Sequence, residues 1–183
     1  MVIGEGAGIF IIESGEAARA RGAKPLARLA GYGTTSDARD FIQPDVEGAT
    51  AAIVAALADS GLPPSEIGYV NAHGTATVLN DANEAAALRR AFGDLVDDIP
   101  VSSSKPIFGH GLGAGGALEL VVAVRALTDQ IVPPQINFLE ADPACRLNLP
   151  TGAAQKREIR AALSNSFAFG GINAALIVAR SDL

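Results

Sequence analysis

The chain has 183 residues, with 20 acidic against 14 basic side chains for a formal charge of −6, and it is 49% hydrophobic but only 19% charged. At this length a chain buries roughly two-thirds of the surface it exposes when unfolded, and the 20 Gly and 10 Pro are scattered without a period, so collagen-like and low-complexity classes are excluded and one packed domain over 1–183 is expected. A deficit of positive charge with no Lys/Arg run gives no electrostatic reason for nucleic-acid binding, and with no uninterrupted stretch of 18 apolar residues and no basic leader at Met1-Val2-Ile3-Gly4-Glu5 the expectation is no membrane span and a cytoplasmic location.

In chain order, Val2 to Ile12 places Gly4, Gly6 and Gly8 beside the apolar run Ile9-Phe10-Ile11-Ile12. That run has the length of a buried strand, so the chain is expected to open inside a sheet. A short Ala/Arg/Glu piece over Glu16–Ala20 ends at Gly22, and a second strand candidate follows over Leu26–Gly33. Pro44-Asp45 starts a helix that stops near Gly61-Leu62-Pro63-Pro64. After Tyr69-Val70, the segment Asn71 to Thr77 is too rich in small and polar residues for regular structure. Asp81 and Glu84 have capping-box spacing, which predicts a helix over Ala82–Phe92. A short strand over Ile99–Ser102, a polar Gly-rich loop over Ser103–Gly113 and an apolar helix over Ala114–Leu127 come next. The last strands are placed at Ile159–Ser164 and Ala174–Ala179, separated by a loop over Asn165–Gly171. Strands alternating with helices predict an α/β layered fold with functional loops at strand ends.

Both histidines, His73 and His110, fall in loops that follow a predicted strand and precede a helix. A loop histidine taken alone is equally a structural or exposed residue, but two at matching strand ends point to a site. Lys105, one of three lysines, lies five residues before His110; a cation beside that imidazole disfavours its charged form and leaves a neutral hydrogen-bond donor. Glu119 is an isolated carboxylate on an otherwise apolar helix, and Arg125 is not at i,i+4 spacing from it. A buried, unpaired carboxylate is costly, so Glu119 should meet a cation or donors from another element, unless it lies on a half-exposed stripe. Phe167 reads as core, whereas Phe169-Gly170-Gly171 could present a backbone N–H or swing a ring across a pocket.

No metal is expected, because 37 residues separate His73 from His110, no HExxH exists, and no adjacent cysteine or paired carboxylates complete a ligand set beside them. Cofactors are expected to be none: Gly111, Gly113 and Gly116 match G-x-G-x-x-G only weakly after a short, Pro-interrupted strand, and no P-loop can be read. The single Cys145 forms no internal disulfide.

Three ordered blocks together resemble the β-ketoacyl-acyl-carrier-protein synthases, in particular their KAS II-like ketosynthases. They are Asn71-Ala72-His73-Gly74-Thr75-Ala76-Thr77 with Asn80-Asp81, Ser102 to Gly116 with Lys105 and His110, and Ser164-Asn165-Ser166-Phe167-Ala168-Phe169-Gly170-Gly171 with Asn173. Gly4-Glu5-Gly6-Ala7-Gly8 resembles the strand that closes the first half of that fold, so the resemblance runs the length of the chain.

What the resemblance implies is a thiolase-like layered α/β/α fold made of two similar halves, of which this chain is the C-terminal half plus, over 1–13, the closing strand of the N-terminal half. It implies decarboxylative Claisen condensation of a malonyl thioester with an acyl thioester, in fatty-acid or polyketide synthesis. His73, His110 and Lys105 correspond to catalytic positions, and Phe169 to a gating aromatic whose N–H joins an oxyanion hole. Asp81 and Glu84 match the acidic positions after the first histidine motif. Asn71, Glu84, Glu119, Ser164 and Asn165 correspond to a buried polar network that holds a monovalent cation or water in some members.

The family's nucleophilic Cys belongs to the absent half, and Cys145 does not match it, so this chain alone should be inactive and should expose a face meant for its complement. The implied partners are an acyl carrier protein, the missing half or a partner subunit, and a second copy in the homodimer of the complete enzyme. Lys156-Arg157 and Arg19-Arg21-Lys24 are carrier-docking candidates by charge alone. A thiolase would need a C-x-G motif that is not present. The alternative of another class is a non-catalytic partner resembling a chain-length factor.

Overall fold

In the computed structural model, which describes residues 1–182, the main sheet has five strands in the order β1-β7-β6-β2-β3. These are β1 (Arg28–Ser36), β2 (Ile67–Asn71), β3 (Val101–Ser102), β6 (Ala161–Ala168) and β7 (Ile172–Ala179). A small antiparallel pair, β4 (Ile131–Val132) with β5 (Gln155–Lys156), stands apart. β2 runs parallel to both β3 and β6, while β7 is antiparallel to β6 and β1. The chain therefore leaves β2, β3 and β6 at one common edge of the sheet, where loops can converge.

A short α1 (Gly15–Ala20) precedes β1, and longer helices cover both faces. On one, α2 (Val46–Ser60) and α3 (Val78–Phe92) bury Ala52, Ile53, Ala56 and Leu88 against Val70, Leu163 and Ile177. On the other, α5 (Gly115–Asp129) buries Ala123, Ala126 and Leu127 against Tyr69, Ala162 and Val178. Among the described residues no helix is long and apolar enough to cross a membrane. α2 is bounded as its sequence suggests: the Asp45 side chain accepts the Glu47 N–H, and Gly61 ends the helix in the left-handed region at φ 65°. The contact between α2 and β1 depends on glycine, since a Cβ at Gly33 would lie 2.0 Å from the Ala52 carbonyl oxygen.

Four sequence expectations are corrected. Residues 1–13 join no sheet of this chain; apart from one bridge between Ile3 and His110, the segment runs over the surface with Ile9, Ile11 and Ile12 at 90%, 86% and 75% exposure. An apolar run signals burial but not the identity of its neighbours, and among the described residues no strand lies beside it. The second correction concerns α3, which begins at Val78 with Thr77 as its cap, not at Asp81. Asp81 sits in the first turn and Glu84 reaches a different loop, so the apparent capping box is coincidental. The third is the supposed loop Asn165–Gly171. It is strand as far as Ala168, and only Phe169-Gly170-Gly171 turn, with φ 80° and 74° at the glycines. Pairing with β7, Asn165 opposite Ala175 and Ser166 opposite Ala174, overrides the weak strand propensity of the two residues. Finally, the loop after β3 contains a four-residue helix, α4 (Lys105–Phe108), which begins at the lysine itself.

Because the atoms facing Gly33 belong to helix backbone and cannot swing aside, Gly33→Ala is expected to destabilise the chain by about 2 kcal/mol or more. Denaturant unfolding of the two forms checks this.

Candidate active site

Three strand ends supply the site. β2 delivers Asn71 and then His73, β3 delivers Ser102 and then Lys105, and β6 carries Ser164 and Asn165, with Ser164 opposite Asn71 in the β2–β6 register. Asn71, His73, Glu84, Lys105, Glu119, Ser164 and Asn165 are all buried.

The Glu84 carboxylate is a clamp. It accepts the backbone N–H groups of His73 and Gly74 at 2.9 Å each and the Asn165 amide at 3.1 Å. Burial pushes its carboxyl above the usual range, and the three donors offset part of that effect. The clamp fixes the backbone on which the His73 ring stands.

Glu119 is 1% exposed and meets the Lys105 ammonium, which also donates to the His73 carbonyl oxygen. Desolvation raises the Glu119 carboxyl to about 7, against the opposing pull of Lys105. Asn71 ties α5 to the same spot by donating to the backbone carbonyl of Glu119 at 3.0 Å. Lys105 Nζ lies 3.2 Å from His73 Nδ1. The sequence reading put Lys105 beside His110; its closest ring is that of His73, because α4 turns the lysine side chain inward under the β2 loop.

An ammonium can only donate, so His73 Nδ1 is the acceptor and its proton resides on Nε2. His110 Nδ1 accepts the Leu112 N–H at 3.1 Å, which places its proton on Nε2 as well. The two rings lie 5.4 Å apart between centroids, at 84° to one another. Burial, then the charge of Lys105, then His110, hold His73 down to about 3; His110, half-buried, is lowered by desolvation and by Lys105. Two neutral imidazoles, each with Nδ1 occupied, carry their remaining proton on Nε2, and such a pair of donors is the chemistry a developing oxyanion calls for.

Beside them runs a groove of about 540 Å³, lined by residues that include Val2, Gly74, Thr75, Lys105, Phe108, His110 and Gln135. His73 lies behind this wall, with Phe167 5.9 Å from its ring. Phe169, two residues beyond Phe167, is 64% exposed and stacks on Phe41 instead of lying against the histidines. Cys145 sits in the connection between β4 and β5, away from the rings, its thiol pushed up by burial and then by Asp142 and Asp81.

The polar network fits an oxygen-ligated monovalent cation. Asn165 Oδ1 is buried without a partner, and it belongs to the residue whose amide nitrogen binds the Glu84 carboxylate. Among the described residues no three His, Cys, Asp or Glu side chains converge as a transition-metal site requires.

Two contributions escaped the sequence reading. His110 donates its backbone N–H to Val2 at 2.8 Å and accepts from Gly4 at 3.1 Å, so the N-terminal segment braces the loop. A Cβ at Gly4 would lie 1.9 Å from the Phe108 carbonyl oxygen; the Gly4-Gly6-Gly8 spacing was the available signal of close approach. Gln135 accepts the Ser103 N–H at 2.9 Å from a region with no motif of its own.

Residues 26–139 match the family model described as beta-ketoacyl synthase, C-terminal domain. The chain is 46% identical over 176 residues to nodulation protein E of Rhizobium sp. (strain N33), covering 96% of this chain and 44% of that protein. It is 44% identical over 178 residues to 3-oxoacyl-[acyl-carrier-protein] synthase 2 of Staphylococcus aureus (strain COL), covering 96% and 43%. The solved ishigamide ketosynthase/chain length factor superposes with a TM-score of 0.93 at 39% identity, over 97% of this chain and 44% of that one. The chain thus spans less than half the length of the relatives it matches, and its fold is the thiolase-like α/β arrangement of ketosynthases.

Glu119→Ala should cost about 3–5 kcal/mol in denaturant unfolding, because it strands the Lys105 ammonium in a buried site. His73 should remain neutral at pH 5 in a nitrogen-15 NMR titration, whereas an ordinary imidazole is charged there. Since the unfolded chain takes up this proton near 6.5 and the folded chain only near 3, the stability linked to His73 is complete above about 6.5 and is lost as pH falls toward 3.

Proposed function

Because the chain belongs to the β-ketoacyl synthase family through its C-terminal domain, we propose that it is the C-terminal half of a ketosynthase, an acyltransferase that performs decarboxylative Claisen condensation in fatty-acid or polyketide synthesis. The observation that carries this reading is the pair of imidazoles at 5.4 Å and 84°, each with Nδ1 already accepting a proton donor.

Loss of CO₂ from a malonyl thioester leaves an electron pair that delocalises onto the thioester oxygen as an enolate. The Nε2–H groups of His73 and His110 donate to that oxygen and keep their protons, because both rings resist becoming charged and gain more from donation as negative charge builds. Lys105 holds the His73 tautomer and Glu119 holds Lys105. The enolate carbon then attacks an acyl group carried as a thioester on a cysteine of the complementary half, and the thiolate departs. Asn71, Glu84 and Asn165 oxygens would hold a monovalent cation where one binds, its charge balancing the buried carboxylate.

Residues 1–13 complete the sheet of the complementary half: their exposed Ile9, Ile11 and Ile12 have the strand-like apolar pattern but no neighbour here. The substrate is presented by an acyl carrier protein, in keeping with the name of the staphylococcal relative, and the complete enzyme is a homodimer in the cytoplasm. A second reading, a non-catalytic partner like a chain-length factor, is favoured by the similarity to a ketosynthase/chain length factor structure.

The test assembles this chain with a complementary half carrying a cysteine and follows CO₂ release from a malonyl carrier thioester. His73→Ala and His110→Ala are each expected to slow release about 10²–10³-fold. An intact rate in both variants would leave the partner reading.

A further inference from the structure

The ladder between β2 and β3 ends at Ser102, whose carbonyl oxygen accepts the Ala72 N–H at 2.9 Å. The next amide, that of buried Ser103, has left the ladder and needs another acceptor. Gln135 Oε1, from the connection between β4 and β5, supplies it at 2.9 Å. Gln135 is anchored in turn: its backbone N–H donates to the Pro150 carbonyl oxygen at 2.9 Å and its Nε2 to that of Ile136 at 3.2 Å. Both ends of the carboxamide are thus engaged.

The residue held this way joins two loops. The Ser103 hydroxyl donates to the Gly74 carbonyl oxygen at 3.1 Å and accepts the Lys105 N–H at 3.3 Å. One side chain therefore staples the loop that carries His73 to the first residue of α4, whose ammonium lies 3.2 Å from His73 Nδ1. The loops come close enough here that a Cβ at Gly74 would lie 2.5 Å from the Ser103 Cβ. Glu84 takes the Gly74 N–H while Ser103 donates to its carbonyl oxygen, so both backbone groups of Gly74 are held.

We propose that Gln135 is a positioning residue: by occupying the Ser103 amide it sets the Ser103 hydroxyl, and through that hydroxyl the reach of Lys105 to His73 Nδ1. Gln135 lines the same groove as Lys105 and His110, yet its oxygen faces Ser103 and its nitrogen the Ile136 backbone. Its contribution is to the geometry of the His73 ring and its cation, and it acts through Ser103 instead of through contact with a substrate. The consequence for condensation rests on the ketosynthase reading of His73, whereas the effect on the ring rests only on the hydrogen bonds that run from Gln135 to Lys105.

The nitrogen-15 resonance of His73 Nδ1 in the full chain tests it without turnover. Gln135→Met keeps the side-chain length and removes both polar atoms; it should move this resonance downfield, toward a ring nitrogen that accepts nothing, and Ser103→Ala should move it the same way. Because the two residues act in series, the double variant should shift it by less than the sum of the single shifts. Leu139→Ala, on the same connection but 95% exposed, should leave it in place. Protection of the Ala52 and Ile53 amides in α2 reports that the fold is intact, and Gln135→Leu takes the place of Gln135→Met if it is not. In the enzyme assembled with a complementary half, Gln135→Met should lower kcat for CO₂ release roughly three- to tenfold, the worth of one hydrogen bond, with KM unchanged. An unmoved Nδ1 resonance, single shifts that simply add, or a raised KM with intact kcat would overturn the positioning role and leave the catalytic reading untouched. Intact CO₂ release in both His73→Ala and His110→Ala would instead overturn the catalytic reading, with the Nδ1 result still standing.

Discussion

A carboxylate at 1% exposure on an apolar helix needs a counter-charge, and Glu119 takes the Lys105 ammonium. Burying two ions has a large desolvation cost, which close pairing offsets only when each ion finds further partners. Here the further partners are the carbonyl and ring nitrogen of His73. A single buried pair therefore joins α5 to the start of α4, anchors the loop after β2 and fixes the direction of an imidazole. A well-packed apolar substitute for the pair could hold the helices together, but it could not orient the ring.

Around this pair the same physical device recurs: a polar side chain from one element satisfies the backbone of the next. Glu84 on α3, itself held by the Asn165 amide, takes the amides of His73 and Gly74, Gln135 takes that of Ser103, and Asn71 on β2 donates to the Glu119 backbone of α5. Loops that begin at parallel strand ends would otherwise carry unpaired amides into the interior. The Glu84 and Gln135 side chains satisfy them after β2 and β3, and the Val2 carbonyl takes the His110 amide, which means that the loops are held where the rings are attached. It also means that the site is assembled only when both helical layers are in place.

The turn at Phe169 contrasts with this. Its two glycines leave it loosely determined from within, and its restraints come from residues 37–45 through Asp37 and Phe41. The rings that would bind charge, on the loops after β2 and α4, and the ring that follows β6 thus stand on differently restrained segments.

Periodicity and breakers by themselves determined the α/β alternation, the ends of α2, the two histidine-bearing loops and the need of Glu119 for a partner, because each is a local consequence of burial or backbone conformation. The family resemblance that singles out His73, Lys105, His110 and Phe169 was legible as an ordered set of motifs. Tertiary structure alone decided that Thr77 caps α3 and frees Glu84 for the His73 backbone, that Lys105 turns to His73, and that Asn165 lies in strand. It alone decided as well that the first 13 residues brace the His110 loop without entering this sheet. The physical reason is common to all four: a polar or apolar residue announces that it must be satisfied, but which partner satisfies it depends on elements far away in the chain, brought close only by packing.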